Sequence, residues 1–518
     1  MSVRFWEPGK EFQRIETEVM EAMRDVLSKG DLIMRHQMLD FERNLAAFVG
    51  TADAVGVSNC TDGMRLLLEA VGIGPGDEVI TVSHTFMATM AVIHQVGATP
   101  VLVDVGADHN MNVDLVEAAI TPRTKAILPV YLNGRLVQMD RLMEIARSHN
   151  LLVIEDTAQA LGAAYMGVRG GAWGVAGAFS FYPAKLLGAY GDAGAIVTSD
   201  AGLAARVREL RDHGRVSKTG FSGWGWNCRL DNLQAAVLDL KLRKVPQWIN
   251  ERRRLAALYD EELADVEGVK RPPGPDGGPF FDIYQNYVIE ADRRDALAES
   301  LGKKGIETLV SPGPVPNHKQ PVGLGHFKLP KTESLCDHVL SLPLNNELDE
   351  AQVLEVAVLY GGRRVGAGGR EFRMYKFRSM VMNADKIGGA DTPDDDPRLT
   401  KTGRFLRRYK LDELPQLINV LKGDMSMVGP RPQVPQEVAT YTAEEREILN
   451  VRPGITDWSS LRFHNEGEIL AGHADPNKAY NELIRPEKMR LGLEYARRAT
   501  LRDDLSILVK TFLVPFRR

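Results

Sequence analysis

From about Asp53 to Val197 the sequence alternates short apolar, β-branched runs with segments of helical period. This alternation is typical of a parallel sheet with helices on both faces, because each parallel strand pair needs a long crossover connection. The pattern predicts strands at 78–82, 100–104, 125–130 and 151–156, and a helix at 139–149. We therefore predict a three-layer α/β domain.

The alternation ends in two steps. The segment 271–279, rich in Pro and Gly, cannot continue a helix or a central strand, and it precedes a smaller α+β region that reaches about Tyr360. The Gly-rich basic segment 361–370 follows, and the alternation does not resume. Because a single core stops growing at roughly 250–300 residues, a chain of 518 residues needs at least two. We predict two domains, residues 1–360 and 361–518.

Composition narrows the class of protein. An apolar fraction of 44% and a charged fraction of 26% are typical of a globular chain. The three cysteines are widely separated and lack a CxxC pattern, which favours a reducing cytoplasm over a disulfide framework or a zinc site. We find no signal peptide, no apolar run of the roughly 18–20 residues that cross a membrane, and no nucleic-acid motif. We expect a cytoplasmic protein, soluble or peripheral at a membrane.

The two predicted domains differ in charge. Residues 361–518 carry 28 Lys and Arg against 22 Asp and Glu, and residues 1–360 carry 36 against 47. A basic domain suits a partner that bears phosphates, such as an anionic membrane or a nucleotide. Two unrelated domains of different isoelectric point explain the charges equally well.

A lysine motif lies in the predicted α/β domain. The segment 178–194, AFSFYPAKLLGAYGDAG, places Lys185 five residues after Ser180, and Asp156 and Gln159 follow the carboxyl end of a predicted strand, where open sheets bind ligands. A lone Lys or Asp is usually a solvated residue, but here several motifs occur together and in order. Residues 10–358 thereby resemble the DegT/DnrJ/EryC1/StrS sugar aminotransferases. The resemblance implies fold type I, pyridoxal 5'-phosphate (PLP) and a homodimer.

The resemblance also implies a role for each matching residue. Lys185 would form the Schiff base with PLP, and Asp156 would keep the pyridinium nitrogen protonated so that the ring serves as an electron sink. The turn 58–63 would open a helix at Met64–Ala70 and hold the cofactor phosphate. The other implied cofactor residues are Thr61 and Ser180 at the phosphate, Gln159 beside the ring, Phe86 stacked on it, and Asn227, which the family supplies to the neighbouring subunit.

Reaction and substrate follow from the same resemblance. Some relatives are dehydratases in which His replaces the Schiff-base Lys, so the retained Lys185 favours transamination, with glutamate as amino donor and a UDP-linked keto-sugar as acceptor. The segments 131–134 and 310–312 depart from the family pattern where sugar recognition is expected. His318, just downstream, is a candidate sugar-binding residue.

Residues 362–518 contain a second set of motifs: YKFRSM at 375–380, DPRLTKTGRFLR at 396–407, LDELPQL at 411–417, NVLKGDMSMVGPRP at 419–432 and RPGIT at 452–456. An Asp-Glu pair alone most often opens a helix, where carboxylates favour the dipole. The whole set resembles the catalytic domain of the monotopic bacterial phosphoglycosyl transferases. This implies a compact α+β domain that transfers a sugar 1-phosphate to a polyprenyl phosphate.

In that resemblance, Asp412 attacks the sugar-bearing phosphate of a UDP-sugar, expels UMP and carries a phosphosugar that undecaprenyl phosphate then accepts. Asp412 and Glu413 would hold Mg²⁺, and Glu413 could instead support proton transfer. Arg431, between two prolines, suits bidentate contact with a phosphate, and Lys376 and Arg378 are further phosphate candidates.

Members of this second family carry an apolar, membrane-embedded helix before the segment that starts at Arg364. Here the last helix of the first domain, predicted at 350–360, takes that place. Contact with the inner face of the bacterial membrane would then depend on amphipathic helices and the tail 505–518, which has an apolar stripe and a basic end. Ordinary packing of the tail on its own domain is an equal alternative.

Together the two resemblances predict sequential catalysis: amination of a UDP-keto-sugar, then transfer of the amino sugar 1-phosphate to the lipid. Within these families a UDP-4-amino-2-acetamido-trideoxyhexose is the expected intermediate. Two alternatives stay open. The C-terminal domain could be an inactive lipid- or partner-binding appendage of a soluble aminotransferase, or the aminotransferase could be chiefly a dimeric platform for the transferase.

Overall fold

A computed structural model describes residues 3–264, 266, 268–274, 278–357, 362–374, 413–433, 435–463 and 483–513. The chain divides into two compact units, residues 1–357 and 358–518. Elements are numbered over the described residues. The helices of the first unit are α1 (Pro8–Lys29), α2 (His36–Val49), α3 (Cys60–Ala70), α4 (Ala88–Gln95), α5 (Met139–Ser148), α6 (Ala201–Arg211), α7 (Asn232–Leu242), α8 (Val245–Glu262), α9 (Arg294–Lys303), α10 (Pro330–His338) and α11 (Glu350–Ala357).

The strands of the first unit build one large sheet and two small ones. They are β1 (Asp53–Val57), β2 (Glu78–Val82), β3 (Thr99–Val103), β4 (Thr124–Ile127), β5 (Leu152–Asp156), β6 (Ala164–Tyr165), β7 (Val168–Arg169), β8 (Ala176–Ser180), β9 (Gly194–Thr198), β10 (Val269–Lys270), β11 (Phe280–Phe281), β12 (Tyr287–Ala291) and β13 (Val339–Leu342). The large sheet has the order β1-β9-β8-β5-β4-β2-β3, and β9 runs antiparallel to both of its neighbours. The pairs from β8 to β3 are parallel, which confirms the α/β fold class.

The observed elements follow the expected ones closely, with two corrections. The strand predicted at 125–130 is β4, which ends at Ile127. The strands predicted at 78–82 and 151–156 are β2 and β5, and the helix predicted at 139–149 is α5. The helix expected to begin at Met64 instead begins at Cys60. The reason is local: the side chain of Asn59 accepts a hydrogen bond from Asp62 N at 2.8 Å and so caps the helix one turn earlier.

The smaller region of the first unit holds the three-stranded antiparallel sheet β10-β12-β13, with α9 and α10. The strand β11, which follows the Pro- and Gly-rich segment, pairs instead with β6 of the large region. Residues 283–286, between β11 and β12, therefore run close to the large sheet. Ile283 N donates to Gly134 O at 3.0 Å.

The second unit contains β14 (Gly362–Val365), β15 (Glu371–Met374), α12 (Gln416–Lys422), β16 (Ser426–Val428), α13 (Pro435–Ala439), β17 (Gly454–Thr456), α14 (Trp458–Arg462), α15 (Arg485–Arg498) and α16 (Leu501–Leu513). β14 and β15 pair antiparallel, and β16 and β17 pair parallel. Val428, Tyr495 and Ile507 form one small core, in which α16 packs beside β16. No helix in the described ranges combines the length and apolarity needed to cross a bilayer.

Candidate active sites

The hairpin between β8 and β9 carries Lys185. The two strands stay paired up to Ser180 and Gly194, so the loop begins and ends at one place. Burial lowers the pKa of the Lys185 amine from its ordinary value, and the nearby Cys60 and Asp156 offset this only in part. The amine is thereby shifted toward the neutral form that a nucleophile needs.

Asp156 is the last residue of β5 and is buried. Its Oδ2 accepts a hydrogen bond from Thr89 Oγ1 at 2.8 Å, and its Oδ1 accepts one from Ala158 N at 3.1 Å. Burial raises the pKa of this carboxyl group, while the two hydrogen bonds and Lys185 act in the opposite direction. A buried carboxylate held by two donors suits a cationic ring nitrogen as partner.

The N-terminus of α3 lies against the end of the Lys185 hairpin. A Cβ built on Gly194 would lie 2.5 Å from the carbonyl carbon of Asn59 and 2.7 Å from Cys60 N, so only glycine allows this approach. Thr61 lies in the first helical turn and is half-buried. Free backbone N–H groups at a helix N-terminus bind phosphate, and this one adjoins the loop that carries Lys185.

The structure describes three further predicted cofactor residues, each with its own surroundings. Ser180 ends β8, and its Oγ accepts from Tyr182 N at 3.3 Å. Gln159 is half-buried, and its Oε1 accepts from Asn133 N at 2.7 Å. Phe86, just before α4, is 72% exposed. An aromatic ring with this exposure is free to stack on a bound ligand.

Asn227 lies in an exposed aromatic segment of the first unit, and the carbonyl oxygen of the next residue, Cys228, accepts from Ser58 N at 3.0 Å, in the turn before α3. The backbone of Asn227 bridges to Asp212, and its side chain is exposed. Trp224 is 97% exposed, and the ring of Trp226 stacks under the guanidinium of Arg65 at 4.0 Å. Exposed aromatic clusters of this kind are typical of protein interfaces.

His318 is fully buried. Its Nδ1 lies 2.8 Å from Ser83 Oγ, and its Nε2 lies 3.2 Å from a carboxylate oxygen of Glu333. The adjacent Asn317 donates to the carbonyl oxygen of Thr85 at 2.5 Å. In this structure His318 therefore anchors the segment that leads to Phe86, and it offers no free atom to a sugar.

Sequence reasoning missed two residues of this site. Thr89 lies three residues after Phe86, and its place after a buried strand was a usable signal for a ligand-side hydroxyl. Gln285 contacts both neighbours of Lys185 through its side-chain amide. The sequence around Gln285 gives no signal of this role, because the partners of its side chain are backbone groups about a hundred residues away.

The second unit brings three of its predicted motifs together, those at 411–417, 419–432 and 452–456. β16 and β17 pair so closely that a Cβ on Gly454 would lie 2.1 Å from Gly429 N. Arg431 follows β16, and its Nη1 donates to Glu413 Oε2 at 3.3 Å. Arg431, a predicted phosphate-binding residue, thus contacts Glu413, a predicted catalytic carboxylate.

Asp412, Lys376 and Arg378 lie outside the described residues, so their roles remain predictions from the sequence. Within the described ranges, no group of three or more His, Cys, Asp or Glu side chains converges as a metal site. Of the predicted Mg²⁺ ligands, only Glu413 can be placed, and Arg431 contacts it. One described carboxylate does not define a magnesium site.

The geometry of the first unit fits PLP. A buried carboxylate, a half-buried lysine whose amine has a lowered pKa, and a helix N-terminus adjoin one another beside a large, mainly parallel sheet. These are the groups that a pyridine nitrogen, an aldehyde and a phosphate each require. Fold and site together define a PLP-dependent enzyme of fold type I.

Comparison with known proteins identifies the family. Residues 13–359 match the DegT/DnrJ/EryC1/StrS aminotransferase family, to which the chain belongs. The chain is 42% identical over 351 residues to a dTDP-3-amino-3,4,6-trideoxy-alpha-D-glucose transaminase of Streptomyces venezuelae, covering 67% of this chain and 92% of that protein. It is 38% identical to a UDP-N-acetyl-3-dehydro-alpha-D-glucosamine 3-aminotransferase of Acidithiobacillus ferrooxidans, with 67% and 94% covered.

Solved structures agree with this assignment. The crystal structure of S. venezuelae DesV in complex with a ketimine intermediate superposes with a TM-score of 0.67 at 40% identity, covering 69% of this chain and 96% of DesV. A structure of NtdA from Bacillus subtilis with bound PMP gives 0.64 at 28% identity, with 69% and 85% covered. Residues 348–518 match the bacterial sugar transferase family, so the chain joins a sugar aminotransferase to a sugar transferase domain.

Proposed function

We propose that this protein is a bifunctional enzyme of bacterial glycan biosynthesis. The first unit transfers an amino group from glutamate to a UDP-linked keto-sugar. The second transfers the resulting amino sugar 1-phosphate to undecaprenyl phosphate and releases UMP. The observation that carries the proposal is the half-buried Lys185, whose amine interacts with the buried Asp156 carboxylate, in a chain whose second unit holds the Glu413–Arg431 contact.

Each residue of the first site has a task in this proposal. When bound, PLP supplies the electron sink that lets an amino group pass between two substrates. Asp156 holds the proton on the ring nitrogen, and Thr89 and Ala158 fix its carboxylate for that purpose. The lowered pKa of Lys185 would let its amine hold the cofactor through the aldehyde group and move a proton at the substrate carbon.

The rest of the cofactor site is proposed from position. Thr61, Ser180 and the N-terminus of α3 hold the phosphate, and Phe86 and Gln159 flank the ring. Asn227 of the partner subunit completes the phosphate site. The exposure of Asn227 beside Trp224 supports this homodimer, because a second copy would cover an aromatic surface that one copy leaves in water.

The relatives support the sugar class. Besides the A. ferrooxidans enzyme, a UDP-2-acetamido-2-deoxy-3-oxo-D-glucuronate aminotransferase of Pseudomonas aeruginosa is 38% identical over 347 residues. Both names describe UDP-linked sugars with a keto group at carbon 3, whereas the sequence resemblance favoured carbon 4. We propose a UDP-linked, 2-acetamido keto-sugar and test both positions.

In the second unit, the proposed nucleophile is Asp412. Its carboxylate oxygen forms a bond to the sugar-bearing phosphorus while the bond to UMP breaks, and the lipid phosphate then displaces Asp412. The contact between Arg431 and Glu413 supports this role, since a guanidinium beside the Glu413 carboxylate lowers the repulsion that an anionic diphosphate meets.

Membrane contact is proposed from α12, whose polarity is inverted. Gln416 and Asn419 are fully buried, whereas Leu417, Ile418 and Leu421 are exposed, Leu421 by 88%. In water such a helix would leave its apolar face exposed to solvent, which is unfavourable. At the surface of a bilayer the same face would be buried in lipid. The exposed Leu501, Leu505 and Val509 of α16 form a second apolar stripe.

The test follows both products in one reaction. Protein, glutamate and a 3-keto or 4-keto UDP-sugar are mixed with vesicles that contain undecaprenyl phosphate, and 2-oxoglutarate and UMP are measured. Lys185→Ala should lower 2-oxoglutarate formation by at least about 10³-fold. It should still release UMP from the ready-made UDP-amino sugar, whereas Asp412→Ala should form 2-oxoglutarate and no UMP.

Other outcomes decide between the alternatives. Equal UMP release from the keto-sugar by wild type and Lys185→Ala contradicts sequential catalysis. If Asp412→Ala releases as much UMP as wild type, the second unit does not use this nucleophile. If no protein releases UMP, the chain is a sugar aminotransferase with a binding appendage. Absence of 2-oxoglutarate from wild type with either keto-sugar contradicts the first activity for these substrates.

A further inference from the structure

One side-chain amide holds the backbone on both sides of Lys185. Gln285 Nε2 donates to Ala184 O at 3.0 Å, and Leu186 N donates to Gln285 Oε1 at 2.9 Å. Gln285 is 7% exposed. Because the amide offers a donor and an acceptor on one rigid plane, it fixes the two peptide groups that flank the lysine.

Gln285 is itself held in place. Its N donates to Asn133 O at 3.0 Å, and its carbonyl oxygen accepts from Arg252 Nη1 at 3.1 Å. A Cβ on Gly134 would lie 2.9 Å from Gln285 N, so glycine permits this close approach. The amide is therefore positioned by the segment before β12 and not by the loop that it holds.

The same segment reaches a second residue of the site. Asn133, which accepts from Gln285 N, donates its own N–H to Gln159 Oε1 at 2.7 Å. Asn133 has a left-handed φ of 59°, and the Nδ2 of Asn286 lies 3.2 Å from its side-chain oxygen. The backbone on both sides of Lys185 and the side chain of Gln159 are thus joined by one continuous group of hydrogen bonds.

Farther along the hairpin, two side chains of α7 form hydrogen bonds with its backbone. Tyr190 N donates to Gln234 Oε1 at 2.9 Å, and Gln234 Nε2 donates back to Tyr190 O at 3.0 Å. Lys241 Nζ donates to Gly188 O at 2.7 Å. Gln234 and Gln285 thus make the same pair of bonds to the same loop, but only Gln285 makes them beside Lys185.

We infer that Gln285 is a positioning residue for the amination reaction: it sets where the Lys185 amine lies, and Gln234 does not. The inference rests on the proposed PLP chemistry. A misplacement of about 1 Å in a reacting group costs roughly 100-fold in rate, whereas the same loosening at Tyr190 shifts no reacting atom.

The test compares Gln285→Leu with the control variant Gln234→Leu. The control loses an equivalent pair of bonds, but at Tyr190 instead of beside Lys185. In cofactor-free protein, Lys185 is labelled with acetic anhydride across pH, and its modification is measured by peptide mass spectrometry. The labelling midpoint should rise by about one pH unit or more in Gln285→Leu alone, because a released loop lets water reach the amine.

In cofactor-loaded protein, the glutamate-driven loss of absorbance near 420 nm should slow by about 10- to 100-fold in Gln285→Leu, with little change in glutamate affinity.

Gln285→Glu covers the case in which the leucine variant does not fold. When ionised, the new carboxylate keeps the acceptor for Leu186 N but cannot donate to Ala184 O, so above its own pKa this variant should show the same two changes. Equal midpoints and rates in the two Leu variants, or wild-type values in Gln285→Glu, overturn the inference. If wild type gives no 420 nm band, the proposed PLP function fails, while the labelling of Lys185 still decides the role of Gln285.

Discussion

At the scale of single residues, His84 is the most unusual side chain near the proposed cofactor site. It is buried, and neither ring nitrogen has a hydrogen-bond partner among the described residues. Burial lowers its pKa to about 3, and His109, whose ring meets it edge-on at 5.9 Å, adds to the shift. His84 is therefore neutral at physiological pH and behaves as an imperfect apolar residue.

Replacing His84 should stabilise the protein. We expect His84→Phe to raise the free energy of unfolding at pH 7 by about 1–2 kcal/mol, because a buried group without partners is removed. The gain should grow as pH falls from about 6.5 toward about 3, since the unfolded histidine binds a proton in that range and the folded one does not.

The measurement is urea unfolding at pH 7.5, 6.0 and 5.0. His94→Phe, on an exposed position of α4, is the matched control and should change stability by less than about 0.5 kcal/mol at pH 7.5. A destabilised His84→Phe, or a difference from wild type that does not vary with pH, contradicts the expectation.

At the scale of elements, prediction succeeded where the sequence signal is local. β2 and β5 were located almost to the residue, because strands of a covered sheet are unbroken apolar runs. The start of α3 was missed because Asn59 and Asp62, read as turn residues, form a helix cap. His318 was expected at the sugar, but its contacts with Ser83 and Glu333 are long-range and leave no pattern in the sequence.

The inverted polarity of α12 gives an element-scale prediction. Leu421→Ser should lower the fraction of protein that sediments with anionic vesicles by about five- to tenfold, because one leucine less enters the lipid. Its exposure means that stability in water should not fall. Leu27→Ser, at an exposed position of α1, is the control and should bind as wild type does. Equal sedimentation of all three proteins would show that α12 does not contact lipid.

At the scale of the whole molecule, the two activities should differ in their need for a divalent cation. Excess EDTA should stop UMP release and leave 2-oxoglutarate formation unchanged, and added Mg²⁺ should restore UMP release, because only the second reaction brings a diphosphate to carboxylates. UMP release that persists in EDTA would show that Arg431 and its neighbours balance the charge without a metal.

The division into two units at residues 357 and 358 has a consequence for biosynthesis. Every residue proposed to bind the cofactor within one copy lies in the first unit, and domains generally fold as units during translation, the N-terminal one first. The aminotransferase can therefore fold and load its vitamin-derived cofactor while the ribosome is still making the transferase. The helices of the second unit, with their exposed apolar side chains, then emerge from the ribosome after the first unit has folded.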